Sequence, residues 1–293
     1  MNRSRQGTTR ILLTGKNGQV GWELQRTLAP LGEVVAVDRQ ALDLANPDAI
    51  RAVIRDVKPQ LIVNPAAYTA VDKAESEPDL AQAVNGTAPG IMAEEAKRLG
   101  AALIHYSTDY VFDGAKEGVY VEDDPTAPLN VYGRTKLAGE QAILASGAAH
   151  LILRTSWVYG ARGKNFLLTM LRLAKEREEL KIVADQIGAP TWSRHIAETT
   201  AQILAQRIGL WPELAGLYHF SAGGSTSWHG FAAAIVELGG IAPQPRLIPI
   251  PTTEYPLPAA RPKNSLMSNE SLAAAFGLTM PDWNVSLRLC MDV

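Results

Sequence analysis

The first 160 residues alternate short apolar runs with longer amphipathic segments. The apolar runs show no polar alternation, which is typical of strands buried on both faces of a sheet. The segments between them have the length and the apolar spacing of helices. Strands that alternate with helices form parallel sheets with helices on both faces, and right-handed crossovers make such a sheet doubly wound. The sequence therefore predicts an α/β fold with a doubly wound parallel sheet.

The alternation also predicts the individual elements and a division of the chain. Helices are predicted at 20–32, 47–59, 79–100, 130–146, 165–180 and 193–208, and strands at 10–15, 33–38, 60–67, 101–108 and 150–160. After about residue 160 the pattern becomes irregular, and prolines are frequent between 243 and 262. We expect a first domain over 1–158 and a smaller α/β domain over 159–293, with the helix near 193–208 returning to the sheet.

A glycine-rich loop follows the first predicted strand. In "TGKNGQVG", Gly15, Gly18 and Gly21 have the spacing G-x-x-G-x-x-G between a strand and a helix. Glycine lets the backbone turn tightly beside a pyrophosphate, and a helix N-terminus offers it free N–H groups and partial positive charge. The next strand ends in Asp38, about 20 residues on, where an acidic side chain contacts an adenosine ribose. The pattern indicates a Rossmann-type nicotinamide dinucleotide site.

The choice between the two nicotinamide cofactors stays open. Asp38 can bind the ribose 2′-hydroxyl of NADH and would repel the 2′-phosphate of NADPH. Arg39 and Lys16 lie close in sequence to the same position. Two cations there could accommodate that phosphate.

Composition excludes several classes of function. The formal net charge is −2, the pI is near 6.2, and no apolar run reaches the length of a membrane span. We therefore expect no nucleic-acid or membrane partner. The one cysteine, Cys290, cannot form an intramolecular disulfide or a cysteine metal cluster and fits a reducing cytoplasm. The first nine residues resemble a loose tail rather than a signal peptide.

The segment "YGRTK" places Tyr132 and Lys136 four residues apart in a predicted helix, on one face. Together with the glycine loop, this pair resembles the extended short-chain dehydrogenase/reductases. Longer blocks resemble the dTDP-4-dehydrorhamnose reductases within that superfamily, from Ile11 nearly to the C-terminus. These blocks are "GKNGQVGWELQ", "NPAAYTAVDKAESEP", "HYSTDYVFDG", "APLNVYGRTKLAGE", "RTSWVYG", "DQIGAPT" and "ARPKNS".

The resemblance implies reduction of the 4-keto group of dTDP-4-dehydro-β-L-rhamnose with hydride from NADPH or NADH. Reduction of a ketone needs a proton for the developing alkoxide, and a free tyrosine with a pKa near 10 releases one slowly at neutral pH. An ammonium nearby stabilises the tyrosinate. Tyr132 would therefore donate the proton, and Lys136 would supply the charge and hold the nicotinamide ribose. Thr108 would hydrogen-bond the carbonyl oxygen.

Further positions are implied by the resemblance alone. Tyr68 stands where close relatives carry histidine, and Trp157, Asn165 and Arg261 have ordinary structural alternatives as core residue, helix N-cap and surface charge. The set near the sugar comprises Thr108, Asp109, Tyr132 and Trp157, and the set near the nucleotide diphosphate comprises Asn165 and Arg261. The cofactor set comprises Gly15, Asn17, Gly18, Gln19, Val20 and Gly21 near the pyrophosphate, Asp38, Arg39, Asp43 and Leu44 at the adenosine end, and Ala66, Ala67, Tyr68, Tyr132 and Lys136 near the nicotinamide.

Rival functions remain within and outside the superfamily. In sugar 4,6-dehydratases, a glutamate that acts as the base comes directly after a Thr-Asp pair. In this sequence that position is occupied by Tyr110. No short motif in the sequence rules out a nucleotide-sugar epimerase. The regulatory subunit of methionine adenosyltransferase is similar to this family and acts by binding rather than catalysis. The resemblance also implies the possibility of a homodimer linked by Mg²⁺, for which Asp292 is a weak candidate ligand.

Overall fold

The computed structural model describes residues 9–292, so nearly all of the predicted tail lies outside the described residues. A six-stranded parallel sheet forms the centre of the molecule. Its strands are β1 (Arg10–Leu13), β2 (Glu33–Ala36), β3 (Leu61–Asn64), β4 (Ala102–Thr108), β5 (Ala149–Thr155) and β10 (Ala215–His219). Their spatial order is β10-β5-β4-β3-β1-β2, in which the chain runs outward from β1 to β2, crosses back past β1 to β3 and then continues in that direction. The predicted doubly wound α/β fold is confirmed.

Eleven α-helices occur in the described residues. They are α1 (Gln19–Thr27), α2 (Pro47–Val57), α3 (Val71–Ala74), α4 (Pro78–Gln82), α5 (Ala88–Leu99), α6 (Val131–Ser146), α7 (Phe166–Glu176), α8 (Ser193–Gln206), α9 (Trp228–Leu238), α10 (Glu270–Phe276) and α11 (Trp283–Met291). Local capping residues determine where the helices begin and end, as α6 shows. Asn130 caps α6 by accepting a hydrogen bond from the Gly133 amide, and Gly147 ends the same helix in the left-handed conformation.

Two apolar layers cover the sheet because successive strand residues point to opposite faces. Ile11 and Leu13 of β1 pack in one layer with α1 and α8, represented by Leu24 and Ile196. Leu12 packs in the other layer with α2, α5 and α6. All of these side chains are buried. The layers hold the carboxyl ends of the strands in a common edge.

The smaller region lies beyond residue 157 and has its own apolar cluster, which includes Tyr159, Leu167, Phe231 and Leu287. Its strands are short: β6 (Val158–Tyr159), β7 (Glu179–Val183), β8 (Ile187–Gly188), β9 (Thr191–Trp192), β11 (Thr226–Ser227) and β12 (Arg246–Ile250). The division at residue 158 stays a prediction. The last sheet strand, β10, and helix α8 come after that residue in the chain and pack on the sheet.

Several predicted boundaries were wrong. The helix predicted at 20–32 ends at Thr27, before a short 3₁₀ helix over Ala29–Leu31 that begins near Pro30. The helix predicted at 165–180 ends at Glu176, and Glu179–Val183 is strand β7, which pairs with β12. The strand predicted at 150–160 stops at Thr155, because Trp157 has a positive φ of 46° that interrupts an extended chain.

Two further differences concern elements near the sheet. The helix predicted at 79–100 is a run of three segments, in which a π-helical turn, Ala83–Thr87, separates α4 from α5. Strand β10 was missed because its residues, "AGLYH", lack a continuous apolar run. Within residues 9–292, no helix is long and apolar enough to cross a membrane.

Candidate active site

The glycine loop between β1 and α1 has the tight geometry that its sequence predicts. Gly15 has a φ of +61°, and the Gly18 amide donates to its carbonyl oxygen at 2.9 Å. A Cβ atom added to Gly21 would lie 2.1 Å from the Gly15 oxygen, and one added to Gly15 would lie 3.0 Å from the Ala66 Cβ. Any larger residue at Gly21 would therefore separate helix from loop.

Asp38 follows the next strand and faces this loop. Its carboxylate pairs with the Lys16 ammonium at 3.1 Å and accepts from the Gln40 and Ala41 amides at 3.1 and 3.2 Å. The amide hydrogen bonds and Lys16 lower the pKa of Asp38 below its usual value. Asn17 lies 3.5 Å from the same carboxylate. The negative charge at this position is thus partly balanced by Lys16.

A cavity of about 170 Å³ adjoins the loop and Asp38. Its lining includes eight of the predicted cofactor residues: Gly15, Asp38, Arg39, Asp43, Leu44, Ala66, Ala67 and Tyr68. Tyr68, predicted near the nicotinamide, lines the same cavity as Asp38. The Tyr68 hydroxyl donates to Glu77 at 2.7 Å, and its amide donates to Asn85 at 2.8 Å. Its ring is thereby fixed as part of the cavity wall.

Thr108, Asp109 and Tyr132 meet where β4 ends and α6 begins. The Thr108 hydroxyl donates to an Asp109 oxygen at 3.0 Å and accepts from the Tyr110 amide at 3.2 Å. Burial raises the pKa of Asp109 to about 6. Burial also raises the pKa of Tyr132 to about 12, while the Thr108 hydroxyl beside it acts in the opposite direction. Tyr132 therefore holds its proton at neutral pH in the free protein.

Lys136 lies one helical turn after Tyr132 and is 1% exposed. Its ammonium donates to the Tyr106 carbonyl oxygen at 2.6 Å and lies 3.0 Å from His105 Nε2. Burial lowers the pKa of Lys136 to about 8, and the Glu140 carboxylate acts in the opposite direction. The lysine is thus held from the β4 side of the site.

A second cavity, of about 590 Å³, lies between the sheet edge and the smaller region. Tyr110 and Arg261 line it together with apolar residues of α7, β7 and α9, among them Phe166 and Trp228. Burial raises the pKa of Tyr110 above the usual value for a tyrosine, so its hydroxyl stays neutral. The Tyr110 ring also packs edge-on against Tyr132, with centroids 5.5 Å apart. Tyr110 thereby connects the cavity to the Thr108–Tyr132 group.

The three remaining substrate candidates are engaged in contacts within the protein. Trp157 is partly buried and stacks on Trp228, with ring centroids 3.6 Å apart. Asn165 caps α7, accepting from the Leu168 amide at 3.0 Å, so its structural alternative is confirmed. Its amide nitrogen also donates to Gln19 at 2.9 Å. Gln19 therefore touches the smaller region, while Val20 packs against the sheet core.

Arg261 forms a two-pronged ion pair. Its guanidinium donates to both Asp72 oxygens at 2.8 and 2.7 Å and to the Ala259 carbonyl at 2.6 Å. The pair lowers the pKa of Asp72. Since the Arg261 side chain is only 15% exposed and lines the large cavity, it is not a free surface charge.

Comparisons with known proteins agree with this arrangement. The family model described as "RmlD substrate binding domain" matches residues 9–293. A dTDP-4-dehydrorhamnose reductase of Burkholderia thailandensis is 54% identical, over 96% of this chain and 98% of the relative. The chain belongs to the dTDP-4-dehydrorhamnose reductase family.

Solved structures of the same family share the fold. A dTDP-4-dehydrorhamnose reductase of Clostridium acetobutylicum has a TM-score of 0.91 and 38% identity, covering 97% of this chain and 99% of its own. The enzyme of Bacillus anthracis, solved in complex with NADP, has a TM-score of 0.90 and 37% identity, covering 98% and 99%. The similarity therefore extends over both regions of the molecule.

Sequence reasoning missed residues that support the predicted site residues, either directly or through one further contact. His105 contacts Lys136, Asn64 contacts His105, and Asp72 pairs with Arg261. A signal existed for His105, because a titratable side chain within the apolar run "AALIHYST" predicts a buried polar partner. No such signal existed for Asp72, which is far from Arg261 in sequence.

The metal raised by the family resemblance finds no site in the described chain. Asp292 is exposed and ends α11, and no group of three or more His, Cys, Asp or Glu side chains in residues 9–292 could hold a metal ion. The described residues of a single chain thus offer no ligand set that supports a resident Mg²⁺.

Proposed function

We propose that this protein reduces the 4-keto group of dTDP-4-dehydro-β-L-rhamnose to give dTDP-β-L-rhamnose, with NADPH or NADH as the reductant. The observation that carries the proposal is the convergence of Thr108, Tyr132 and Lys136: the Thr108 hydroxyl lies within hydrogen-bond reach of the Tyr132 hydroxyl, and Lys136 follows one turn later on the same helix. The family membership supports the same substrate and reaction.

The residues around the smaller cavity fit a nicotinamide dinucleotide. The Gly15 and Gly21 backbone leaves no space for side chains at the loop, and the amide end of α1 faces it. Asp38, Asp43 and Leu44 would hold the adenosine end. When bound, the cofactor supplies a hydride to the carbonyl carbon. The complex of the Bacillus anthracis relative with NADP supports this assignment.

Tyr132 would donate the proton that completes the reduction. As the new C–H bond forms, the carbonyl π electrons move to oxygen, which takes the Tyr132 phenolic proton and becomes the hydroxyl. A pKa of about 12 keeps Tyr132 protonated in the free protein, so the donor is loaded before substrate binds. The positive charge of Lys136, one turn away, lowers the cost of the tyrosinate that remains.

Thr108 would stabilise charge on the carbonyl oxygen. Its single hydroxyl hydrogen is directed at Asp109 in this structure, so a substrate carbonyl competes with Asp109 for it. Protonation of Asp109, whose pKa is about 6, weakens that competition. Thr108 and Asp109 would thus act together on the sugar.

The larger cavity would hold the dTDP-sugar. Arg261 offers positive charge for a diphosphate, and the apolar wall that includes Phe166 and Trp228 offers packing surface for a nucleoside. Trp157 would contact the sugar through the face that Trp228 does not cover. Asn165 would act mainly by fixing the start of α7, because its side chain is fully engaged there.

The experiment that tests the proposal is oxidation of reduced cofactor by the purified protein on addition of the dTDP-4-dehydro sugar, compared for NADPH and NADH. We expect stoichiometric formation of the 4-hydroxyl sugar. Sugar isomerisation without net cofactor oxidation would instead indicate an epimerase. Cofactor binding without any turnover would indicate the non-catalytic role. Loss of water from a hexose substrate would indicate a dehydratase, which the neutral Tyr110 argues against.

Two further proposals concern location and assembly. We propose that the protein acts in the cytoplasm, which agrees with its one cysteine, Cys290, being buried and unpaired. A homodimer is expected from the family resemblance alone, and light scattering on the purified protein tests it.

A further inference from the structure

A line of buried polar side chains crosses the sheet between the two halves of the site. Thr14, Asn64, His105 and Lys136 come from β1's end, β3, β4 and α6. The Thr14 hydroxyl lies 2.6 Å from Asn64 Oδ1, Asn64 Nδ2 lies 3.1 Å from His105 Nδ1, and His105 Nε2 lies 3.0 Å from Lys136 Nζ. Each of the four is at most 1% exposed. The line connects the catalytic lysine to the residue before Gly15.

We propose that His105 is a positioning residue: it accepts a hydrogen bond from Lys136 and, through Asn64 and Thr14, ties the lysine to the glycine loop. The proposal rests on the function assigned above to Lys136. It adds a residue that contributes to catalysis through Lys136 and has no contact of its own with the reacting atoms.

The number of hydrogens on the Lys136 ammonium explains how His105 positions it. A lysine ammonium has three donors and no acceptor. One is used by the Tyr106 carbonyl at 2.6 Å and one by His105 Nε2 at 3.0 Å. The third is the only one left to face Tyr132 and the cofactor. Two fixed acceptors therefore determine where that last hydrogen points.

The line also fixes the tautomer of His105. If a charged Lys136 donates to Nε2, a neutral imidazole must carry its hydrogen on Nδ1. The Asn64 amide then has to present its oxygen to His105 and its nitrogen to Thr14. That is a half-turn from the orientation in this structure, which matches a neutral lysine. Charging Lys136 thus reverses the direction of donation along the line.

The surroundings keep His105 neutral so that it can accept. Burial and the Lys136 charge both lower the pKa of His105 well below its usual value. The charged groups that face Lys136 are Glu140, one turn along α6, and beyond it Arg154, which pairs with Glu140 at 2.7 Å. No carboxylate among the described residues hydrogen-bonds Lys136, so His105 is its only side-chain acceptor there.

Three substitutions separate positioning from simple burial. His105→Leu removes the acceptor, whereas His105→Gln places an amide oxygen at about the reach of Nε2. His150→Leu is the matched control: His150 is also a buried strand histidine, but within residues 9–292 its ring hydrogen-bonds only the Ala148 carbonyl oxygen. Thermal unfolding of all three variants reports the cost of removing a buried imidazole.

The first measurement is turnover and cofactor affinity. Loss of a hydrogen bond to a charged group predicts a fall in kcat of roughly tenfold or more for His105→Leu, with recovery to within about threefold in His105→Gln. We expect the alkaline limit of NADPH affinity, followed by fluorescence without substrate, to move to lower pH in His105→Leu. His150→Leu should change neither. Equal kcat and unshifted pH profiles in His105→Leu and His150→Leu would overturn the proposal.

The second measurement does not need turnover. In ¹⁵N-histidine spectra of the wild-type protein near pH 6.5, we expect His105 to be neutral with its hydrogen on Nδ1, assigned by comparison with His105→Gln. An imidazolium, or a hydrogen on Nε2, would refute the acceptor role. If the wild-type protein fails to reduce the dTDP-sugar, the proposed function falls, while this spectrum and the NADPH affinities still test the positioning role.

Discussion

The cofactor half and the substrate half of the sheet edge are built in different ways. In the cofactor half, Gly15, Asp38 and Ala66 each lie two residues beyond the end of one of three neighbouring strands and line one small cavity. In the substrate half, Arg261 comes from a distant segment, and both Arg261 and Trp157 are held by residues of other segments, Asp72 and Trp228. A site made by strand ends is fixed by the sheet. A site made by remote segments depends on their docking.

The largest expected effect lies where the two halves meet. Tyr132→Phe removes the proton donor and keeps the ring that packs on Tyr110. General acid catalysis typically contributes about 10²–10⁴-fold, so we expect kcat to fall by at least about 100-fold. NADPH affinity, measured by fluorescence, should stay near the wild-type value. Turnover near wild type would show that another group donates the proton.

The same contrast explains what the sequence could predict. The sheet, the loop and the Tyr132–Lys136 pair follow from local spacing, because strand alternation and helical periodicity act over a few residues. The His105–Lys136 contact depends on the alignment of β4 with α6, and the Arg261–Asp72 pair joins segments that no periodic pattern relates. Strand β10, whose own residues lack a continuous apolar run, takes its place in the sheet from pairing with β5.

Asp109 tests how much the burial of a carboxylate in the substrate half reduces the stability of the fold. Its pKa is about 6 in the folded protein and near 3.8 when unfolded, so the folded state binds the proton more tightly. The stability that Asp109 contributes is therefore fully present below about pH 4 and is lost as pH rises through 6. At pH 7.5 we expect Asp109→Asn to stabilise the protein by roughly 2 kcal/mol. Thermal unfolding at several pH values measures this.

The control for Asp109 is Asp113 on the same segment. Hydrogen bonds from the Ala115 amide and the Tyr120 hydroxyl lower the pKa of Asp113, so its carboxylate stabilises the fold at neutral pH. Asp113→Asn should therefore be destabilising at pH 7.5. An Asp109→Asn gain that is equally large at pH 4 would mean that packing, not charge burial, causes it.

Substitution of Arg261 tests whether the segment that carries it helps to bind the dTDP-sugar. If its guanidinium meets the diphosphate, Arg261→Gln should raise KM for the dTDP-sugar by roughly tenfold, since hydrogen bonds to charged groups are worth about 1.5–3 kcal/mol. NADPH affinity should not change. Steady-state kinetics with each substrate varied in turn measures both.

Asp72→Asn is the matched variant for that test. It weakens the pair but leaves the Arg261 charge in the cavity. We expect a smaller change in KM than for Arg261→Gln. Equal losses of thermal stability in the two variants, with KM unchanged in both, would show that the pair only joins α3 to the later segment.

The smallest expected effect concerns cofactor choice, because the relevant groups are near solvent. Asp38 is paired with Lys16 and held by two amides, so neither charge acts alone on an incoming ribose. Asp38→Ser should favour NADPH over NADH, since it removes the negative charge and frees Lys16. Lys16→Ala should shift the ratio of kcat/KM values in the opposite direction. Shifts of the same sign in both variants would mean that Arg39, rather than the Asp38–Lys16 pair, sets the preference.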